Sequence, residues 1–182
     1  KAGILLPEYT QSSALGTMVK APVYVNIAPD KDATITPWLS SEEGLVTVGQ
    51  YRQQTDKGYY QFDGSATYPR DRSAEGVVTG GHSFRGHLFA RGGSEIVPAW
   101  QWGYDVNRAS DDTHLRRYEF GNQETLTSRL YTEHVEDRRH VLAQGMAFQG
   151  LVRDDDPDTI PIILPALDAS TESGPLWAGS RV

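Results

Sequence analysis

The fold is decided by residues 59–68, which read YYQFDGSATY and alternate between two kinds of side chain. Tyr60 and Phe62 fall on one face of an extended chain, together with small residues, whereas Gln61 and Asp63 fall on the other. Successive side chains of a β-strand point to opposite faces of its sheet. The stretch therefore predicts a strand with one apolar face and one polar face.

The same alternation recurs twice farther along the chain. Residues 82–91 place Leu88 on the apolar face, and residues 99–108 do the same with Trp100 and Trp102. Further strand-like segments are residues 17–27, 32–39, 45–54, 125–135, 141–151 and 160–167. No segment has the periodicity of an amphipathic helix. The sequence thus predicts an all-β fold, an antiparallel meander of about eight or nine long strands.

Residues 21–37, APVYVNIAPDKDATITP, read as two short alternating strands joined by a turn at residues 26–32. Each strand contains a proline, Pro22 in the first and Pro37 in the second. Proline gives no N–H group to a β-ladder, so it is confined to edges or to weakly paired positions. The two prolines predict a weakened seam.

Composition excludes several classes of protein. With 38% hydrophobic residues among 182, the chain is too apolar to be disordered, and a net charge of −7 without a basic patch argues against a nucleic-acid partner. The absence of cysteine excludes disulfides and thiolate metal sites in this stretch. The longest apolar run, Ile160 to Leu167, contains two prolines and is far shorter than the roughly 20 residues of a membrane-spanning helix.

Candidate metal ligands are few. His82 and His87 are five residues apart and point to opposite faces of a strand, so they do not share a metal in regular β geometry. The acidic run Asp154 to Asp158 carries oxygen ligands that suit Ca²⁺, but it lacks the glycine and the distal glutamate of an EF-hand loop. We expect a solvated turn there, and neither a metal site nor a cofactor.

Candidate catalytic residues are equally few. Ser110, Asp112 and His114 name the parts of a hydrolase triad, but no nucleophile elbow surrounds the serine. Turn formation explains a polar Ser-Asp-Asp run more simply. We therefore expect no catalytic residue and a protein that is not an enzyme.

Alternation alone leaves two architectures open. Strands of about ten residues suit a membrane-spanning β-barrel, which needs about 9–11. Tyrosines and tryptophans near the strand ends suit its aromatic girdles, and a polar face with Asp63, Arg85, Arg91 and Asp105 suits a hydrated lumen. In a soluble β-sandwich the same faces would be core and solvent, and Trp100 with neighbouring aromatic residues would serve a carbohydrate-binding module. A register error of one residue would exchange lumen and lipid faces.

Three motifs, in a fixed order, carry a family resemblance. Residues 22–37 are followed by Glu43-Gly44-Leu45, residues 105–116 read DVNRASDDTHLR, and residues 148–151 and 160–167 read FQGL and IPIILPAL. Together they resemble the amino-terminal part of the barrel domain of the LptD family, the lipopolysaccharide-assembly proteins of the Gram-negative outer membrane.

The resemblance implies that residues 17–182 are the first strands of a large transmembrane β-barrel, an incomplete arc, and that residues 1–16 lead in from an absent periplasmic domain. The implied role is part of the outer-membrane translocon that inserts lipopolysaccharide into the outer leaflet through a lateral gate. We expect the 182 residues to be a fragment located in the outer membrane of a Gram-negative bacterium.

The resemblance also assigns site residues and partners. The implied partners are lipopolysaccharide, membrane lipid, a plug lipoprotein of the LptE type and, through the absent domain, the periplasmic transport bridge. His114 stands where the family motif commonly has tyrosine. The implied residues are Pro22 and Pro37 at the lateral gate, Asn26, Ala28, Pro29 and Asp32 in the gate turn, and Asp105, Asn107, Arg108, Ser110 and Asp111 in a motif whose role stays open.

Overall fold

The computed structural model describes residues 1–72, 78–152 and 162–171, which form fourteen strands and one short helix. In chain order they are β1 Ala2–Ile4, β2 Glu8–Ser12, β3 Gly16–Lys20, β4 Val23–Ala28, β5 Lys31–Ser40, β6 Gly44–Thr55, β7 Gly58–Thr67, β8 Arg70–Arg72, β9 Val78–His82, β10 Arg85–Val97, β11 Trp100–Ala109, α1 His114–Arg117, β12 Thr125–Glu136, β13 Arg139–Gly150 and β14 Ile162–Thr171.

Twelve of these strands form one antiparallel sheet. Its order is β1-β4-β5-β6-β7-β10-β11-β12-β13-β14, with β3 paired to β5 and β2 to β3. From β5 to β14, each strand of the path pairs with the next one along it. The chain passes from one strand to the next through a hairpin turn or a longer connection. Across the described ranges the sheet is open, with β1 at one end and β14 at the other. The predicted all-β antiparallel meander is confirmed.

The register confirms the two faces predicted from residues 59–68. One row across the sheet joins Tyr51, Phe62, Ala90 and Val106, and we call this side the apolar face. The opposite side, which carries Gln61, is the polar face. The apolar face leaves many large side chains exposed, among them Ile35, Leu39, Leu45, Phe62, Leu88, Trp100 and Leu130.

The strand predicted over residues 17–27 is not continuous, because it is interrupted at Ala21-Pro22, between β3 and β4. Both parts nevertheless keep the same register against β5, with Met18 opposite Ser40 and Val23 opposite Ile35. Pro22 therefore lies in the interruption and not inside a strand, whereas Pro37 lies within β5 as predicted. Pro37 has no N–H to donate to Ala21, which explains why the ladder with β5 is interrupted there.

The strand predicted over residues 82–91 is misplaced at its start. His82 is the last residue of β9, which pairs with β8 in a separate two-stranded sheet, and the long strand begins only at Arg85. The partner strand β8 covers Arg70–Arg72. The acidic run Asp154 to Asp158 lies outside the described residues.

Residues 114–117 form the helical turn α1, which the sequence analysis did not predict. A helix of four residues is too short to show a 3.6-residue pattern, and tertiary packing holds it. No described helix has the length and apolar character needed to cross a membrane. The described strands form one main sheet and a two-stranded one, so the structure gives no support to a sandwich of two packed sheets.

Candidate functional site

The connection between β11 and β12, residues 110–124, folds back onto the polar face and covers one end of it. We call this region the covered end. Two buried clusters form there, and both receive a side chain from or beside α1. The first comprises Leu15, Met18, Val46 and Tyr118, and the second Leu115, Leu126 and Leu151.

The local sequence explains the contacts of α1. Leu115 and Tyr118 are three residues apart, so a single helical turn places both on the side that faces the sheet. Phe120 follows and packs against both clusters, with its ring 5.2 Å from that of Trp38 on β5. Arg85 lies over the Tyr118 ring, with its guanidinium carbon 6.0 Å from the ring centroid.

A serine between two histidines links α1 to the sheet. The hydroxyl of Ser65 on β7 lies 2.7 Å from Nδ1 of His87 on β10 and 2.8 Å from Nε2 of His114. His114 is buried, and among the described residues its Nδ1 has no hydrogen-bond partner. Burial lowers the pKa of His114 to about 4, although the charge of Asp111 opposes that shift. His114 is therefore neutral at pH 7 and acts as a core residue.

Asp111 and Arg85 form the second link between the connection and the sheet. Nε of Arg85 donates to Oδ2 of Asp111 at 2.9 Å, and its Nη2 donates to Oδ1. Ser110 and Thr113 also donate to this carboxylate. Burial alone would raise the pKa of Asp111, but the hydrogen bonds from Arg85, Ser110 and Thr113 outweigh it and hold the pKa well below its ordinary value.

Glu43, in the turn between β5 and β6, forms the third link. Its carboxylate accepts a hydrogen bond from the Tyr118 hydroxyl at 2.9 Å and forms an ion pair with Arg117. Only 2% of the Glu43 side chain is exposed, and these partners help to stabilise its buried charge. Burial and the neighbouring Glu43 raise the pKa of Tyr118, which keeps its hydroxyl protonated as a donor.

The motif residues of β11 lie where this strand approaches the covered end. Asn107 donates from Nδ2 to Oδ1 of Asp105 and to the Thr127 carbonyl. Ser110 accepts from the Gly86 N–H, which fastens the start of the connection to β10. Arg108 is exposed opposite Leu88 and makes no hydrogen bond or ion pair within the described part of the chain.

Pro22 and Pro37 each stand in a pair that keeps one hydrogen bond. The N–H of Ala21 donates to the Pro37 carbonyl at 3.1 Å, and that of Leu5 donates to the Pro22 carbonyl at 2.9 Å. Because proline has no N–H group, neither Pro22 nor Pro37 donates the second hydrogen bond of its pair. The missing donor of Pro37 faces Ala21, whereas that of Pro22 faces β1, the edge of the sheet.

The predicted gate-turn residues form the β4–β5 hairpin. Asn26 pairs with Asp32, and a bulge follows before Ala28. Asp32 is bound by Arg52 of β6, with Nη2 2.9 Å from Oδ1, so the hairpin is tied to the next strand. Pro29 is exposed in the turn.

Beyond the covered end, the polar face is an open polar surface. Arg91 donates to Gln61 and Arg129 to Gln144, both across neighbouring or nearby strands. Within the described ranges neither guanidinium has a carboxylate within 4 Å, and no three His, Asp or Glu side chains come together as metal ligands.

Sequence reasoning missed most of the covered end. Ser65, His87 and Glu43 read as ordinary polar-face or turn residues, and His114 as a variant motif position. The available signal was the apolar trio Leu115, Tyr118 and Phe120 inside an otherwise polar connection.

Comparison with known proteins gives a consistent result. The family model described as LPS transport system D, LptD, matches residues 83–182. The LPS-assembly protein LptD of Nitrosococcus oceani is 30% identical over 166 residues, which cover 91% of this chain and 21% of that protein. The proteins of the same name from Alkalilimnicola ehrlichii and Nitrosospira multiformis are each 33% identical over 71% of this chain, and the alignments cover 16% and 13% of those proteins.

The chain thus spans about a fifth or less of the length of these relatives. The family match covers more than half of the chain and includes the motif at residues 105–116 and the whole of α1. On this evidence the chain belongs to the LptD family.

Proposed function

We propose that this chain is part of an outer-membrane β-barrel that assembles lipopolysaccharide at the cell surface. Its relatives carry the name LPS-assembly protein, and the proposed role is transport and assembly, not catalysis. The observation that carries the proposal is the exposed apolar face of the sheet, on strands long enough to cross a bilayer.

Strand length and face chemistry support a membrane location. Strands β5, β7 and β11 have ten residues each and β10 has thirteen, and a tilted strand needs about 9–11 to cross the hydrocarbon core. Large apolar side chains exposed on one face, such as Leu39, would be an aggregation hazard in water but suit lipid. The polar face with its arginines would then look into the lumen.

The lateral gate is the finer part of the proposal. A closed barrel satisfies every backbone group, so parting two strands is costly unless donors are already missing. Pro22 lacks its donor on the outer edge of β4, where β1 lies in the structure and where a closing strand would lie in a barrel. Pro37 lacks its donor on the inner side, toward Ala21. Pro22 therefore acts on the gate directly, and Pro37 acts by loosening the hold of β5 on the residues around Ala21.

The test restores the missing donors. We expect Pro22→Ala to reduce delivery of lipopolysaccharide to the cell surface more than Pro37→Ala does, because only the first adds a donor to the edge that must part. Surface lipopolysaccharide is measured in cells that depend on the variant protein. Pro98→Ala, in the turn between β10 and β11, is the matched control. Unchanged delivery of lipopolysaccharide in the double variant Pro22→Ala/Pro37→Ala, at normal protein level, would contradict the gate role of the two prolines.

The plug lipoprotein and the periplasmic bridge complete the proposal as partners of the whole protein. A hydrated lumen wall with Gln61, Arg91, Asp105 and Arg129 suits a polar partner inside the barrel. Site-specific photocrosslinkers at Gln61 and, as a lipid-facing control, at Leu88 would separate a plug contact from lipid contact. Crosslinks to a lipoprotein from Leu88 alone would contradict this orientation.

A further inference from the structure

The ladder between β11 and β12 stops before either strand ends. The two strands pair from Trp100 opposite His134 to Asp105 opposite Arg129. β11 nevertheless continues to Ala109, and β12 begins at Thr125. The neighbouring ladders are complete, since β10 pairs with β11 as far as Ala109 and β12 pairs with β13 from Thr125 onward. Of these three ladders, only the one between β11 and β12 stops short of the strand ends.

Side chains replace the missing main-chain partners of β11. Ser128 accepts from the Asn107 N–H at 3.0 Å and donates to its carbonyl at 3.2 Å. Gln149 reaches from β13 to Ala109, where Oε1 accepts from the N–H at 3.1 Å and Nε2 donates to the carbonyl at 2.7 Å. The groups of Asn107 and Ala109 that face the opening are thus fully paired, so the opening is a defined arrangement and not a frayed end.

Leu115 of α1 lies in a buried cluster with residues from both sides of the opening. It packs with Leu126 and Leu151, from the β12 side, and the same cluster touches Ala109 and Phe89 from the β11 side. By strand alternation Leu126 belongs on the same face as Leu130, yet Leu126 is 4% exposed and Leu130 is 59% exposed. Leu126 therefore lies in the buried cluster with Leu115 and not on the exposed apolar face.

We propose that this seam is a two-state hinge controlled by α1. With α1 seated, Ser128 and Gln149 hold the strand ends apart. With α1 released, the ends close in the register that the ladder already has, with Asn107 opposite Thr127 and Ala109 opposite Thr125. The side-chain hydrogen bonds are then exchanged for ladder bonds, so the balance between the two states is set by the contacts that seat α1, to which the buried Leu115 contributes.

The hinge controls access to the covered end. Release of α1 removes the cover from Ser65 and His87 and frees Phe120 from Trp38. Closing the ladder also withdraws the surface of Leu126 on which Leu115 sits.

A disulfide trap tests the closed state. These 182 residues contain no cysteine, so an introduced pair has no competing thiol within them. In the closed ladder Ala109 and Thr125 would be directly opposite, at about 5.5 Å between Cα atoms, which is within disulfide range. The variant Ala109→Cys/Thr125→Cys is oxidised in the intact protein in its native membrane. Gln101→Cys/Glu133→Cys, a pair in the zipped part of the same strands, is the matched control.

We expect the control pair to crosslink fully and the Ala109–Thr125 pair to crosslink in a minor fraction. That fraction should rise several-fold when Leu115→Ala or Gln149→Ala is added, while the control pair stays unchanged and so reports correct folding. The crosslinked protein should also exchange the amide hydrogen of Tyr118, bonded to the His114 carbonyl when α1 is seated, at least tenfold faster.

Three results overturn the hinge. The first is full crosslinking of the Ala109–Thr125 pair without any weakening substitution, since the open seam would then not be the resting state. The second is no crosslinking even with Leu115→Ala and Gln149→Ala together, which makes the seam static. The third is a crosslink that leaves Tyr118 exchange unchanged, which uncouples the seam from α1.

Discussion

The two halves of the polar face are built from similar residues and do different things. At the covered end, Glu43, Arg85 and Asp111 are held in pairs beneath or beside α1. Farther along the same strands, Arg91 and Asp105 are exposed, and among the described residues Arg91 bonds only the neutral Gln61. The difference teaches that charged groups on this face are shielded from water only where a second layer covers them.

The largest expected effect on stability comes from a substitution at the covered end. Arg117→Met should lower the free energy of unfolding by about 3–5 kcal/mol, because it breaks the ion pair that Arg117 makes with the buried Glu43 carboxylate. Arg91→Met, on the open part, should cost less than about 1 kcal/mol. Urea titration in the detergent or lipid in which the protein folds measures both. Equal losses would show that the cover does not matter.

The next effect compares two leucines on the two faces. Leu115→Ala should cost about 2–5 kcal/mol, because Leu115 is 1% exposed and its removal leaves a cavity in the seam. Leu130→Ala removes a side chain that is already exposed on the apolar face and should cost clearly less. The same urea titration serves. A larger loss for Leu130 would mean that the apolar face carries the packing energy.

A pH titration sharpens the comparison. His114 faces His87, Asp111, Arg85 and Tyr118, and its pKa of about 4 lies below the ordinary 6.5. As pH falls, the unfolded chain takes up the proton first, so stability should fall by up to about 3 kcal/mol between pH 6.5 and 4 and then level off. The lowered pKa of Asp111 acts only below its ordinary 3.8, outside this window.

The variant His114→Phe should show a smaller pH dependence, because it removes one buried imidazole and keeps an aromatic ring in the cluster. His82→Gln, which removes an exposed histidine, is the control and should keep the full dependence. A slope that is unchanged in His114→Phe would assign the titration to another group.

The smallest expected effect concerns a single hydroxyl. Ser110→Ala removes hydrogen bonds to Asp111 and from the Gly86 N–H and should cost about 1 kcal/mol. The loss should appear as faster amide exchange at Gly86 without a change at Arg91, farther along the same strand. Uniform change along β10 would show that the covered end and the open part are not separable.

Alternation predicted the long strands and both faces well, because a period of two is a local property of the chain. It did not predict the interruption at Pro22, which depends on pairing with β5, or the place of His82 in β9, which depends on pairing with β8. The roles of Pro22 and Pro37 at a gate stay predictions. The family resemblance indicated that the motif at residues 105–116 matters, but it gave Arg108 the same weight as Asp111. Of these two residues, Asp111 is held in a hydrogen-bond network with Arg85, and Arg108 is exposed.

By itself, then, the sequence determined an antiparallel sheet with one apolar and one polar face, since side-chain direction along a strand follows directly from residue order. Only the tertiary structure decided that part of the polar face is a core. His114, Ser65 and Glu43 are separated by tens of residues, and nothing local distinguishes them from solvated neighbours. Their environment arises when the β11–β12 connection folds back and removes water, and that step depends on contacts distant in the chain.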